Sequence, residues 1–352
     1  MVRGVTLRHF RSYPQLDLEL EPGVVLVTGP NGAGKTNLLE ALHVGTQGFS
    51  PRARSDAQLV SFGATEGRVR LRGTNGPVPF ESEIRLGPRD ARRAHYNGGV
   101  LRSAEQLRLE LRTLVFTPDR LAVVKGAPAT RRAYLDRTLA RLFPARASLP
   151  IEYAAAVGQR NAALRRLAAG ASTPEALTPW TETVTALGAA LVDARRETLR
   201  MLAPAFQSTS SRLGLERAAL AYDGEKASVA EYDERLAKDL DRGLTGAGPH
   251  LHDIRVSAGD RELRGYGSQG EQRVAVLALV LAEAETLTER TGSPPLVLLD
   301  DVLSELDEDR RRALAALVSH RGQVVVTATS ATAFPGDPSQ SLVVSLGEVK
   351  TA

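Results

Sequence analysis

Eight residues near the amino end constrain this chain more than any other segment. Gly29-Pro30-Asn31-Gly32-Ala33-Gly34-Lys35-Thr36 matches the spacing G-x-x-x-x-G-K-[ST] in full. The β-branched run Val24–Thr28 precedes it and reads as a buried strand. Lys35–His43 follows, with Leu38, Leu39 and Leu42 marking one side of a helix. A glycine loop between such a strand and helix curls so that its N–H groups point at phosphate oxygens, and the helix end adds partial positive charge. Lys35 then supplies an ammonium for the β- and γ-phosphates, and the Thr36 hydroxyl suits Mg²⁺. Asn31, Gly32, Gly34 and Asn37 complete the expected nucleotide-binding set on this loop, with ATP and Mg²⁺ as cofactors.

A phosphate loop needs an acidic partner. Leu296-Val297-Leu298-Leu299-Asp300-Asp301 is an apolar strand ending in two carboxylates. Many buried strands end in Asp as a simple cap, so this motif gains its role only beside the upstream loop. Asp300 is then expected to hold Mg²⁺ through its water shell, together with Thr36. Asp301 is expected to orient or deprotonate an attacking water, which makes Asp301 and Lys35 the candidate catalytic residues.

The rest of the 352 residues can be divided by texture. Residues 55–115 alternate short apolar runs with Gly and Pro turns and predict antiparallel strands. After Pro118, helical spacing takes over: Leu135, Leu139 and Leu142; Tyr153, Val157, Leu164 and Leu167; then Trp180, Val184, Leu187 and Leu191, preceded by an N-cap at Thr173 with Pro174 at the first helical position. Tyr232, Leu236 and Leu240 predict a further helix ending near Gly243. Pro144, Pro150 and Pro204 are expected to break these helices, and no heptad seam persists. After Gly248–Pro249, strand–helix alternation returns: a helix over Glu271–Arg290, a strand over Leu296–Leu299, a helix over Asp309–Val318 and a strand over Val324–Thr327. The expected architecture is an α/β head at 1–117 and 246–352, with a mixed sheet, flanking helices and an antiparallel β subdomain. A mainly helical lobe is inserted at 118–245.

Composition narrows the class. The chain has no cysteine, which excludes disulfides and thiolate metal sites. Its longest apolar run, Val274–Ala282, is too short to span a bilayer. Met1–Tyr13 does not read as a secretion signal, so a cytoplasmic protein is expected. His250-x-His252 is too little for a metal site. Net charge is only +4, but Arg85–Arg146 holds fourteen Lys or Arg against five Asp or Glu. That local excess attracts polyanions, although a solvated Arg-rich surface would account for it as well.

Ser268-Gln269-Gly270-Glu271-Gln272 opens the Glu271–Arg290 helix. Taken alone it is a helix cap, with end N–H groups that suit an anion. It also resembles the signature motif of ABC-type ATPases, and Ser304-Glu305-Leu306-Asp307 resembles their D-loop. In that superfamily the signature faces the γ-phosphate held by another subunit. The resemblance implies ATP sandwiched between two copies, with Ser268, Gln269, Gly270 and Asp307 among its contacts and one copy alone a poor hydrolase. Longer stretches are more specific. Pro118-Asp119, Val123-Val124-Lys125-Gly126-Ala127-Pro128, Arg131-Arg132-Ala133-Tyr134-Leu135-Asp136 and Leu298–Asp307 closely resemble signatures of the RecF family. Phe10-Arg11-Ser12-Tyr13, which adds Arg11 to the nucleotide set, and Gly248-Pro249-His250 are similar to that family too. The likeness runs over essentially the whole chain.

This resemblance implies a bacterial recombination-repair ATPase, an ABC-type P-loop head without a long coiled coil. Such a protein is an ATP-driven homodimer that binds double-stranded DNA near gaps. It acts with RecR and RecO to load RecA, and slow, DNA-stimulated hydrolysis resets it. The expected DNA contacts are Arg52, Arg54, Arg89, Arg92 and Arg93. Arg131 and Arg132 rank lower, because they carry a family signature and can pair with acids inside the fold. Some positions depart from the pattern. Leu251 and His252 follow Gly-Pro-His where a basic and an acidic residue are usual, with Asp253 next. Asp301 stands for the glutamate of ABC proteins, and Thr327-Ala328-Thr329 for their switch histidine. A Q-loop equivalent is sought around Val115–Asp119, where no glutamine is assigned to it. Three rivals fit less well. A transporter subunit would not separate Thr36 from Ser268 by 232 residues. An SMC-type head would carry a long heptad arm, and a small-molecule kinase has no use for the Ser268–Gln272 and Ser304–Asp307 motifs.

Overall fold

The computed structural model describes residues 1–87 and 93–352. Two of the expected DNA contacts, Arg89 and Arg92, lie outside the described residues. The chain forms two compact units: Met1–Arg120, Arg212–Gly214 and Val276–Ala352 make the first, and Leu121–Ser211 and Leu215–Ala275 the second.

The first unit opens with β1 (Val2–Phe10), β2 (Tyr13–Glu19) and β3 (Val24–Thr28), then α1 (Lys35–Gln47). It continues through β4 (Gly67–Asn75), β5 (Val78–Leu86), β6 (Arg93–Tyr96), β7 (Gly99–Val100), α2 (Ala104–Glu110) and β8 (Thr113–Phe116). The strands predicted over 55–115 are the antiparallel β4 to β7, which join β1 and β2 in a sheet of order β2-β1-β4-β5-β6-β7. Its strands alternate: Val69 and Leu71 are buried while Arg68 and Arg72 are exposed, the pattern of a sheet with one wet face.

The second unit contains α3 (Ala122–Lys125), α4 (Pro128–Leu142), α5 (Leu149–Ala168), α6 (Thr178–Arg212), β9 (Ala218–Asp223), α7 (Val229–Glu234) and α8 (Leu236–Arg242). Then come β10 (Asp253–Ala258), β11 (Arg261–Glu262), α9 (Leu263–Tyr266) and the start of α10 (Gln269–Thr291). Two expectations change here. Pro204 does not break its helix: α6 runs 35 residues through it. An interior proline costs about 3 kcal/mol, and burial of Leu199, Leu202, Ala205 and Phe206 around it offsets that cost. Pro150 sits in the first turn of α5, where a proline loses nothing, and Pro144 opens a short 3₁₀ turn. The boundary expected at 245 also moves. Residues 246–275 belong with the helical lobe because β10 pairs along its length with β9, from Asp253↔Asp223 to Ala258↔Ala218. Arg131 and Arg195 tie the same stretch down: Arg131 grips Asp253 at 2.7 and 2.6 Å, and Arg195 donates to the Pro249 carbonyl at 2.7 Å.

The chain returns to the first unit with the rest of α10, β12 (Leu296–Leu299), α11 (Glu308–Val318), β13 (Val324–Ala328), β14 (Gln340–Ser345) and β15 (Glu348–Thr351). These strands take β3 and β8 into a second sheet of order β15-β14-β3-β13-β12-β8, parallel except for β15. Its middle strands are buried end to end, as a sheet covered on both faces requires. Leu38, Leu39, Ala41, Leu42 and Val44 of α1 share one core with Val25, Val27 and Val325 of this sheet and with Val69 and Leu71 of the other. Gly45 permits that approach, since a Cβ there would stand 2.4 Å from Leu71 Cδ1. The Gln323 side chain bonds both the N–H and the C=O of Val2, at 2.7 Å each, joining β1 to the residue that precedes β13. No helix among the described residues is long and apolar enough to cross a membrane.

Candidate nucleotide site

Strand order assembles the site. β3, β13 and β12 are parallel neighbours, so their carboxyl ends lie side by side. The loop 29–34 leaves β3 there, Asp300 and Asp301 leave β12, and Thr327 stands near the end of β13 between them.

The loop curls through glycines at positive φ: 149° at Gly29, 81° at Gly32 and 113° at Gly34. Close contacts exclude a side chain at two of them. A Cβ on Gly29 would lie 2.3 Å from the Val344 carbonyl oxygen, and one on Gly34 would lie 2.8 Å from Ser12 Oγ. The Gly34 carbonyl accepts from the Tyr13 hydroxyl and from Leu38 N, each at 3.0 Å. Burial pushes the Tyr13 phenol well above its ordinary range, so it stays a donor. Lys35 is buried, and its Nζ donates to the Gly29 and Pro30 carbonyls at 2.7 and 2.9 Å.

The acidic side is a chain of short bonds. Thr36 Oγ1 donates to Asp300 Oδ1 at 3.1 Å, and Thr327 Oγ1 donates to the same oxygen at 2.9 Å. The Thr327 hydroxyl also accepts from Asp301 N at 2.8 Å. Burial pushes the Asp300 carboxyl up; the Thr327 and Thr36 hydrogen bonds and the charge of Arg52 pull the other way. Asp301 is exposed and holds a left-handed backbone, φ 49°, a conformation costly for a residue with a side chain. With Ser304, Arg311, Thr329, Ser330 and Thr332 it lines a polar cleft of about 180 Å³. A hydroxyl beside a carboxylate is the sparse all-oxygen donor set that Mg²⁺ takes while keeping most of its waters. No group of three or more His, Cys, Asp or Glu among the described residues could hold a metal on its own.

The other predicted residues are placed as follows. Asn31 and Gly32 are exposed on the loop, and Asn37 Nδ2 donates to Ser12 Oγ at 3.0 Å. Arg11 grips Glu40 with two bonds, 2.9 and 2.8 Å, and Arg52 approaches the same carboxylate at 3.6 Å. Arg54 and Arg93 are exposed. Arg131 is not a surface group for a ligand, whereas Arg132 is only half-buried. Arg131 is 3% exposed on the Asp253 carboxylate, and Arg132 donates to the His252 carbonyl at 2.6 Å. Ser268 and Glu271 cap α10 reciprocally: Glu271 N donates to Ser268 Oγ at 3.2 Å, and Ser268 N to Glu271 Oε2 at 2.7 Å. Gln272 is buried and donates to the Leu263 carbonyl at 2.8 Å, fixing α9 before the cap. Asp307 is the N-cap of α11, accepting from Arg310 N. His250 and His252 bond tyrosines, Tyr153 and Tyr222, at 2.8 and 2.9 Å.

Sequence reasoning missed Glu40 and underrated Thr327. Glu40 left a trace, being a carboxylate inside the apolar run Leu38–Leu42. Thr327 left none beyond its place in the missing switch histidine's segment.

Residues 1–345 match the family described as the RecF/RecN/SMC N-terminal domain. The chain is 36% identical over 347 residues to a DNA replication and repair protein RecF of Heliobacterium modesticaldum, covering 95% of this chain and 93% of that protein. It is 37% identical over 342 residues to the RecF of Acidothermus cellulolyticus, covering 91% of each. Its fold is similar to a solved structure of the recombination mediator protein RecF-ATPrS in the RecFOR pathway, with a TM-score of 0.86, 27% identity and coverage of 100% of this chain and 98% of that one.

Proposed function

Since the chain belongs to the RecF family of DNA replication and repair proteins, within the wider RecF/RecN/SMC group, we propose that it is an ATP-gated, double-stranded-DNA-binding ATPase of recombinational repair. The observation that carries this reading is the bonded chain Thr36–Asp300–Thr327–Asp301 set beside a glycine loop whose lysine is already folded over it. Lys35 exchanges the Gly29 and Pro30 carbonyls for the β- and γ-phosphates, which cost less to desolvate beside a charge that the loop has already positioned. Thr36 and Asp300 would hold Mg²⁺, which would supply charge neutralisation on the phosphate oxygens. Asp301, exposed and in a left-handed backbone conformation, orients the attacking water and takes its proton. Asn31, Gly32, Gly34, Asn37 and the Glu40-locked Arg11 form the rest of one nucleotide half-site. Ser268, Gln269, Gly270 and Asp307 of a second copy form the other half, so hydrolysis is slow in one copy alone.

The ATP-bound homodimer then binds duplex DNA near gaps and acts with RecR and RecO in loading RecA, and hydrolysis releases it. Arg52, Arg54 and Arg93 are the described candidates among the DNA contacts named from sequence. The test is duplex binding by the purified chain with ATP, with ADP and with no nucleotide. Tight binding is expected with ATP alone. Lys35→Ala is expected to abolish it, and Asp301→Asn to hold it while turnover stops. Equal affinity in all three nucleotide states would overturn the reading.

A further inference from the structure

The register of the antiparallel sheet carries a feature that the nucleotide chemistry does not use. Arg8 of β1 is paired with Arg68 of β4, Arg68 with Arg85 of β5, and Arg85 with Arg93 of β6. Four arginines thus stand in one row across four adjacent strands. Their chain neighbours Leu7, Val69, Ile84, Leu86 and Ala94 are buried, so all four share the outer face. Like charges directly opposite one another destabilise a sheet.

Among the described residues the compensation is partial. Arg8 pairs with Asp17 at 2.9 Å. Arg85 and Arg70 bond Glu83 at 2.7 and 2.9 Å, and Arg68 reaches the same carboxylate at only 3.9 Å. One nearly buried carboxylate therefore serves three guanidiniums, with Glu81 at 3.8 Å as a second partner for Arg70 alone among the described residues. Burial pushes Glu83 up, but its Arg85 and Arg70 hydrogen bonds outweigh that and hold it below the usual range, so it is already ionised and has no further charge to give. Beside Arg8, Arg68 and Arg85 lies an open cleft of about 220 Å³, also lined by His9, Glu66 and Gly67. Further along β4 the pattern is ordinary, with Arg72 opposite Glu81 and 3.2 Å from Glu19.

We propose that the row Arg8–Arg68–Arg85–Arg93 is the surface on which this unit receives the sugar-phosphate backbone of duplex DNA. The proposal rests on the DNA-binding reading above and adds the place. Three inter-strand steps of about 4.8 Å make the row roughly 14 Å long. That length corresponds to about four steps along one DNA strand at roughly 3.4 Å axial rise each. A flat strand face puts guanidiniums on phosphates without reaching base edges, so the contact is independent of sequence.

The experiment is a salt titration of duplex binding in saturating ATP, comparing wild type, the double variant Arg68→Gln/Arg85→Gln, and Arg72→Gln. The last removes the same type of charge from the same face. Loss of two phosphate contacts is expected to lower the slope of log K against log salt by about 1.8, with at least a tenfold loss of affinity, while Arg72→Gln stays within about twofold of wild type. ATP affinity is expected to be unchanged in both. Without DNA, the double variant is expected to melt close to wild type, because the lost Arg85 bond to Glu83 is offset by relief of the repulsion along the row while Arg70 still holds Glu83. If wild type binds duplex and the double variant keeps its affinity and slope, or loses no more than Arg72→Gln, the row is not the DNA surface. A double variant that melts several degrees lower would mark the row as structural and overturn the assignment. Failure of wild type itself to bind would overturn the DNA reading and this proposal together.

Discussion

Thr327 serves two acids with one hydroxyl. It donates to Asp300 and accepts from the amide of Asp301, the residue whose backbone sits in the left-handed region. Thr327→Val keeps the shape and removes both bonds, leaving the Asp301 N–H without that partner. A lost bond of this kind costs about 1–3 kcal/mol, so ATP turnover is expected to fall roughly tenfold to a hundredfold. KM for ATP is expected to move little, and Thr327→Ser to restore the rate. Equal loss of kcat in the Val and Ser variants would remove Thr327 from the positioning of these acids. The contrast with Thr36 shows what a sequence can display. Thr36 follows Lys35 in a motif whose chemistry names it, whereas Thr327 ends a run of valines and acquires its partners only because β13 lies between β3 and β12. Such a contact is set by strand order, which no local spacing reveals.

Among elements, the pairing of α4 with β10 decides where the helical lobe ends. Arg131 on α4 holds Asp253 at the start of β10 with two bonds and donates to the Val124 and Gly126 carbonyls as well. Burial pushes the Asp253 carboxyl up, but the Arg131 bonds and the Ile254 N–H outweigh it and hold it below the usual range. A carboxylate depressed in the folded state adds stability above its unfolded pKa of about 3.9, and loses it as pH falls through the folded value. Asp253→Asn is therefore expected to lower unfolding stability by about 3 kcal/mol at neutral pH. The gap to wild type should narrow steadily below about pH 4. A gap that stays constant on acidification would show that the charge is not what the pair contributes. Elements with strong local signals were readable: β3 and β12 are short apolar runs ended by glycine or aspartate, and their bounds match those expected. The lobe was less so. Pro204 looks like a breaker to any local rule, yet buried side chains on both sides of it keep α6 continuous. The partnership of β9 with β10 joins segments about thirty residues apart whose short strands alternate only weakly.

For the whole molecule, the glycine loop and the Ser268 cap are two halves of a nucleotide enclosure in the proposed dimer. ATP is expected to drive dimerisation, and Ser268→Arg to block it while the monomer still binds ATP, since Ser268 caps α10 and is not part of the glycine loop. Sedimentation with and without ATP checks both, and a mass indifferent to ATP over a wide concentration range would refute the enclosure. The sheet order has a consequence for how such a chain is made. β3 lies between β13 and β14, so the phosphate loop's own strand has no neighbour on either side until residues 324–345 have left the ribosome. That is about 300 residues later, roughly 15–60 s of synthesis at about 5–20 residues per second. Throughout that interval the nascent chain displays bare strand edges, and a translation stop before Val324 yields a polypeptide that carries the motif in full and has no site.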